Sequence, residues 1–453
     1  MPDWFFCYII HYIRKNQSLK LKHKIIIIYR RKEYVYDIKR KSSGSLRPQR
    51  ARQSTCRFWG HELFHDQRFV LNSLRDYYGL EYRPPKINDM STMTAYVEPD
   101  LADCLGCDIQ QLYNYGDTYG HTNTDWKEWV YQGIPVLIPA DASVTDDGQG
   151  GYYVYPKGDT SCPPSGHMTA NGYYFDNLTR SPEFDEDHAD PADNVEDYML
   201  VSDDQISYHK KVLDSVKNNQ RAIQVAPGYF GLGDANNIPG PNLKNPKGIR
   251  SIEEWYTAPL LYPEYVKEIF EQGTDIVIEN LKKYWDAFGS DIDIMYICGT
   301  DFGTQKGPLI NPEIFKELYM PYYKKVNNWV HENTTWKTLK HCCGGIFPIL
   351  PYLIEGGFDA INPVQCSAEG MEPKRLKETY GKDILFWGGG VDTQKVLPFG
   401  KPEDVREQVL ERLDIFSKDG GYIFNTIHNI QANVPIENIA AMIEAIKEFN
   451  GDK

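Results

Sequence analysis

Between residues 222 and 449 the chain repeats one unit: a short run of β-branched and aromatic residues, a polar turn, then an amphipathic helical pattern. Strand-like runs are expected at 222–226, 292–297, 336–340, 358–362, 384–387 and 422–427. The helices between them carry their own signals. Asn311-Pro312-Glu313 reads as a helix start, with proline at the first helical position. Val405, Val409, Leu413 and Phe416 mark one apolar face closed by Gly420-Gly421, and Ile439, Ile443, Ile446 and Phe449 repeat that face in the last helix. Strands alternating with helices call for a parallel sheet, because each crossover returns the chain to the same sheet edge. Six such units, with room for two upstream, predict an α/β protein of the (β/α)8 TIM-barrel type. A doubly wound sheet is the alternative, but no glycine-rich phosphate loop opens an early helix.

The rest of the chain divides on composition. Residues 1–55 hold fourteen Lys/Arg against three Asp/Glu, a balance of +11, within a chain whose net charge is -14; the remainder therefore carries -25. A basic arm for RNA or an anionic membrane is one reading of this segment. The preferred one is a weakly structured N-terminal extension over residues 1–65 that is not part of the fold, with the barrel at 66–453. An insertion is expected at about 130–200, where 134–139 and 152–155 look like strands around the turn-rich 146–151, which points to antiparallel pairing. The acidic loop at 183–196 leads to Ser202-Asp-Asp-Gln205, a helix-capping pattern. Strong acidity argues against nucleic acid as a partner. The longest aliphatic run, Ile25 to Ile28, is far too short to span a bilayer. Nine cysteines without a short-spaced framework read as reduced, so a cytoplasmic location with no membrane partner is expected.

Residues with chemical potential follow the strands. They are Tyr229, Asp301, His341 with Cys343, Gln365, Asp392 and His428, and in a parallel barrel the carboxyl ends of the strands form one catalytic face. His341 and Cys343 are two apart, so in an extended segment their side chains share a face. Zinc favours imidazole and thiolate, and a catalytic zinc takes three protein ligands plus an open position; His428 would be the third. Asp301 would hydrogen-bond a ligand histidine or the substrate, and Gln365 would orient the substrate. A His-x-Cys pair alone is a weak motif, since buried cysteines often serve as small hydrophobes, and Cys342 is expected to pack on the opposite side. Cys104-Leu-Gly-Cys107 reads as a helix end entering a strand. Gly388-Gly-Gly390 would approach either an anion or a neighbouring backbone.

Several of these segments, taken in order, resemble the uroporphyrinogen decarboxylase superfamily, particularly its corrinoid-dependent methyltransferase branch. They are Asp301-Phe-Gly-Thr-Gln305, Pro312-Glu313, His341-x-Cys343-Gly344, Asn362-Pro-Val-Gln365, Gly389-Gly-Val-Asp392 and Pro435-x-Glu-Asn438, with a looser likeness at Leu74-Arg-Asp-Tyr-Tyr-Gly-Leu80. The resemblance implies a barrel with its site in the mouth and zinc held by His341, Cys343 and a later ligand. His428 stands where those methyltransferases have a cysteine. It also implies a corrinoid protein as partner. The arginine-rich substrate motif of the decarboxylases, Arg-Gln-Ala-Gly-Arg, is absent.

The resulting expectation is a zinc-dependent methyltransferase that moves a methyl group from a small methylated substrate, with a methoxylated aromatic as the candidate, to the cobalt of a partner corrinoid protein. Asp301 and Gln365 are its expected catalytic residues, Tyr229 and Asp392 its substrate-binding residues. The alternatives are a uroporphyrinogen decarboxylase-type carboxy-lyase and a non-catalytic tetrapyrrole-binding barrel.

Overall fold

The computed structural model describes the antiparallel strand pair Cys7–Ile10 and Ile26–Tyr29, and residues 67–451 except 218 and 229. Most of the expected extension 1–65, and Tyr229, lie outside the described residues.

Seven strands form one parallel sheet: β1 (Ile109–Leu112), β2 (Ala222–Val225), β3 (Ile294–Cys298), β4 (Lys337–His341), β5 (Ala360–Asn362), β6 (Leu385–Trp387) and β7 (Tyr422–Ile423). Spatial order follows chain order throughout, and every neighbouring pair is parallel. β2 to β7 fall within the six predicted runs, to within a residue at one end of β3 and β4. β1 is the strand expected after Cys104-Leu-Gly-Cys107; its four residues, two of them glutamines, are all buried.

The sheet curls. Ile109 from one edge and Ile423 from the other belong to a single apolar cluster with Ala222, Ile294, Leu339, Ala360, Leu385 and Trp387, so residues of all seven strands meet inside the curve. Alternate residues, such as Ile223, Val225, Met295, Ile361 and Phe386, join the larger core beneath the helices. Both faces are thus covered, as parallel sheets require. Among the described residues no ladder joins β7 to β1, so the architecture shown is a curled seven-stranded sheet rather than the expected closed ring of eight.

The helices follow their sequence signals. Ser202 accepts a hydrogen bond from Gln205 N (3.1 Å) at the start of Asp203–Val216, although the Gln205 side chain reaches Tyr284 instead of completing a capping box. Asn311 caps Pro312–Leu318 through Glu313 N (2.9 Å). Val405, Val409, Leu413 and Phe416 are fully buried along Pro402–Phe416, which packs against the last helix, Ile436–Asn450. That last helix also reaches the first units of the sheet, where Lys447 Nζ donates to Cys104 O (3.1 Å). Cys104 and Cys107 flank the left-handed Gly106 that ends helix Pro99–Leu105, as their spacing suggested.

The insertion is antiparallel. Trp126–Tyr131 pairs with Ile134–Pro139, and a four-stranded sheet follows from Val144–Asp146 to Asp176–Asn177. Among the described residues no helix is long and apolar enough to cross a membrane.

Candidate functional site

The polar residues singled out within the described region all follow the carboxyl ends of their strands, so the parallel topology puts them on one side of the sheet. β4 ends at His341, whose register partner on β5 is Asn362. Cys342 N then donates to Asn362 O (2.6 Å), extending the pairing by one residue before the chain turns at Gly344. Gly344 has φ +88°, and a β-carbon there would collide with the backbone of Gly303, so the turn demands glycine. Cys342 is buried on the far side, where Phe302 N donates to its sulfur (3.2 Å) and burial pushes its thiol up to about 12. It is a packing residue, as expected.

Two predicted residues hold the loop that carries Cys343. Asp301 Oδ1 accepts from Cys343 N (2.6 Å), and Gln365 Oε1 accepts from Gly344 N (2.7 Å). His341 is buried, with its ring oriented by Asn362. Asn362 Nδ2 donates to Trp387 O (3.1 Å), which leaves Oδ1 facing His341 Nδ1 at 2.8 Å. An amide oxygen only accepts, so the proton sits on Nδ1 and the lone pair sits on Nε2. That lone pair faces the neighbouring donors: Cys343 Sγ is 3.3 Å from Nε2, and Asp301 Oδ1 is 3.9 Å away.

Asp301, His341 and Cys343 therefore bring ligand atoms within 4.8 Å of one another. Tetrahedral zinc with bonds of about 2.0–2.3 Å spaces its donors roughly 3.3–3.7 Å apart, so the observed separations need only small adjustments to receive an ion. An imidazole oriented through its other nitrogen, a thiol and a carboxylate form a set that zinc accepts. These residues fit a metal.

The remaining predicted residues stand apart from this cluster. His428 follows β7, but its side chain is exposed and is not in the converging group; its carbonyl accepts from Thr426 Oγ1 (2.6 Å). Asp392 Oδ1 accepts from Gln394 N and Lys395 N (2.7 and 3.1 Å), closing a turn after β6. Gly389 and Gly390 pack tightly, so that β-carbons there would strike Cys366 and the Phe424 ring. Close backbone approach accounts for them without an anion.

Two residues near the cluster were not foreseen. Lys340 is fully buried, with its ammonium donating to Thr300 O (2.6 Å) and His341 O, over the rings of Phe302 and Tyr323. Asp234, on the loop after β2, has its carboxyl pushed up to about 6 by burial and then by the charge of Asp301, against the opposing pull of Lys340 and His341. The only sequence signal for Asp234 was its place after a strand, in a glycine-rich loop.

Residues 245–449 match the family model described as uroporphyrinogen decarboxylase (URO-D). The chain is similar to a methylated-thiol–coenzyme M methyltransferase of Methanosarcina mazei, 23% identical over 205 residues, which is 44% of this chain and 48% of that protein. It is also similar to a uroporphyrinogen decarboxylase of Coxiella burnetii, 21% identical over 194 residues, covering 42% and 48%. The chain spans about half the length of these curated relatives. Among solved structures, a methyltransferase from Methanosarcina mazei overlays 64% of this chain and 75% of its own with a TM-score of 0.44 and 17% identity. Over residues 245–449 the chain is thus similar to the uroporphyrinogen decarboxylase family and to methyltransferases related to it.

Proposed function

We propose that the protein is a zinc-dependent methyltransferase that takes a methyl group from an oxygen or nitrogen atom of a small substrate and delivers it to the cobalt of a corrinoid carried by a separate protein. The observation behind this reading is the convergence of Asp301, His341 and Cys343 with the His341 lone pair turned toward the other two. His341 and Cys343 would hold the ion, with Asp301 as third ligand and His428 the alternative for that place. Zinc held there supplies a Lewis acid for the leaving heteroatom. The chain's own residues do the positioning. Asn362 sets the imidazole, while Asp301 and Gln365 clamp the loop bearing Cys343. A corrinoid on the partner protein would supply, as reduced cobalt, the electron pair that accepts the methyl carbon, and the leaving heteroatom would keep the pair of the broken bond.

The same reading takes the curled sheet as the wall of a complete (β/α)8 barrel whose eighth position is supplied by residues before β1. A carboxy-lyase reading draws on the decarboxylases among the relatives. It fares worse on charge, because Asp234 and Asp301 beside the cluster would repel a polycarboxylated substrate.

Elemental analysis of purified protein tests the proposal. About one zinc per chain, lost in His341→Ala and Cys343→Ala, is the expected result. Folded wild-type protein that refuses added zinc would overturn it.

A further inference from the structure

The loop Gly299–Asp301 after β3 is flanked by carboxylates. At its far end Asp301 reaches His341 and Cys343. At its near end Asp234 Oδ2 would lie 3.4 Å from a β-carbon on Gly299, and the Tyr296 hydroxyl would lie closer still. Asp234 Oδ1 is occupied by Asn236 N (2.9 Å), which leaves Oδ2 without a hydrogen-bond partner among the described residues. The nearby Lys340 ammonium makes no hydrogen bond to it, since it donates to the carbonyls of Thr300 and His341 and acts on Asp234 only through its field. Above Asp234 lies helix Ile252–Leu261. Its Trp255 is buried, with the indole packed where a β-carbon on Gly233 would stand, and the next residue, Tyr256, is 45% exposed and lies in the field of both Asp234 and Asp301.

One carboxylate, Asp234, and two tyrosines beside a metal-ligand cluster make a selective surface. An anionic substrate would be repelled. A neutral ether would leave Asp234 Oδ2 desolvated without compensation. A methylated ammonium would gain from the carboxylate charge and from the electron-rich faces of the tyrosines, which suit a cation whose charge is spread over methyl groups. The charge of -25 outside the first 55 residues adds a long-range field of the same sense.

Building on the methyl-transfer reading, we propose that Asp234, Tyr256 and Tyr296 form a cation-receiving wall beside the Asp301–His341–Cys343 cluster, and that the methyl donor is an N-methylated ammonium compound rather than a methyl ether.

The test uses the purified full chain and two probes, tetramethylammonium chloride and anisole, titrated calorimetrically, with zinc content read separately on each sample. Saturable binding of tetramethylammonium is expected, weakened at least about tenfold by Asp234→Asn and by Tyr256→Ala but kept within about threefold by Tyr256→Phe. Thermal unfolding of each variant confirms a folded protein, and the exposed position of Tyr256 keeps the test alive should Asp234→Asn fail to fold. No tetramethylammonium binding, binding that ignores both substitutions, or tighter binding of anisole would each overturn the proposal. His341→Ala separates the two readings: it is expected to remove zinc while tetramethylammonium still binds. Wild-type protein without zinc that binds tetramethylammonium through Asp234 would uphold the cation wall and sink the metal reading.

Discussion

His341 and Asn362 are register partners on adjacent parallel strands, and Nδ1 of the first lies 2.8 Å from Oδ1 of the second. The contact matters because Asn362 is itself held, by Trp387 O on the next strand. Three strands thus orient one imidazole, and the orientation is set by the backbone ladder rather than by a mobile loop.

Asn362→Leu is expected to lower zinc affinity about 10–100-fold, because the ring loses the acceptor that fixes its tautomer. Asn362→Asp keeps that acceptor and should stay near wild type. A chelator-competition titration compares them, and equal affinity in both variants would show that the contact is only structural.

Asp301 and His428 compete for the place of third ligand. Asp301→Asn keeps an oxygen for Cys343 N but removes the anionic donor, and should cost about tenfold or more in zinc affinity with little change in melting temperature. His428→Ala should retain its metal, as the exposed side chain lies outside the converging group. The reverse pattern would assign the ligand to His428.

Gly344→Ala should be among the most damaging single-methyl additions in the chain. Its positive φ and the backbone of Gly303 leave no room for a β-carbon. Backbone strain alone costs about 1–3 kcal/mol, and relief would require moving the loop that carries Cys343. Denaturant unfolding together with zinc content would detect both effects. An unchanged midpoint and full metal occupancy would refute the account of the turn.

His209 supplies a pH dependence remote from the cluster. It is buried, with Nδ1 2.7 Å from the Tyr284 hydroxyl and Nε2 2.9 Å from Tyr113 O, and burial holds its imidazole down to about 4 from an ordinary 6.5. As pH falls below 6.5 the unfolded chain gains a proton that the folded chain refuses until near 4. Stability is therefore full above 6.5 and declines as pH drops toward 4, by about 3 kcal/mol in total. His209→Gln should flatten this part of the profile. Urea melts at pH 7 and pH 4.5 measure the difference, and parallel pH slopes for variant and wild type would refute it.

Legibility from sequence tracked the locality of the signal. Val405, Val409, Leu413 and Phe416 sit on one helical face, and their burial follows from a period of 3.6 that any one helix displays. β1 showed only as a strand entered after Cys107, because Gln110 and Gln111 interrupt the apolar run, and both are buried by neighbours distant in the chain. His341 and Cys343 stood out through spacing of two at a strand end. Gln365 was placed at the right strand end, yet its partner, Gly344 N, lies 21 residues away. Asp234 gave no motif; its environment comes from β2 and β3 being neighbours in the sheet, which brings Gly299 and Asp301 beside a loop more than sixty residues earlier.

Local patterns in the chain encoded the alternation of strands and helices, the end of the sheet at which polar residues gather, and the His-x-Cys pair, because each depends on neighbours within a few positions. Tertiary structure alone decided that Asp301 joins that pair while His428 faces solvent, that Asn362 turns the His341 lone pair inward, and that Asp234 meets the same loop. Those are distances across the sheet, and they depend on register and curl, which no local periodicity encodes.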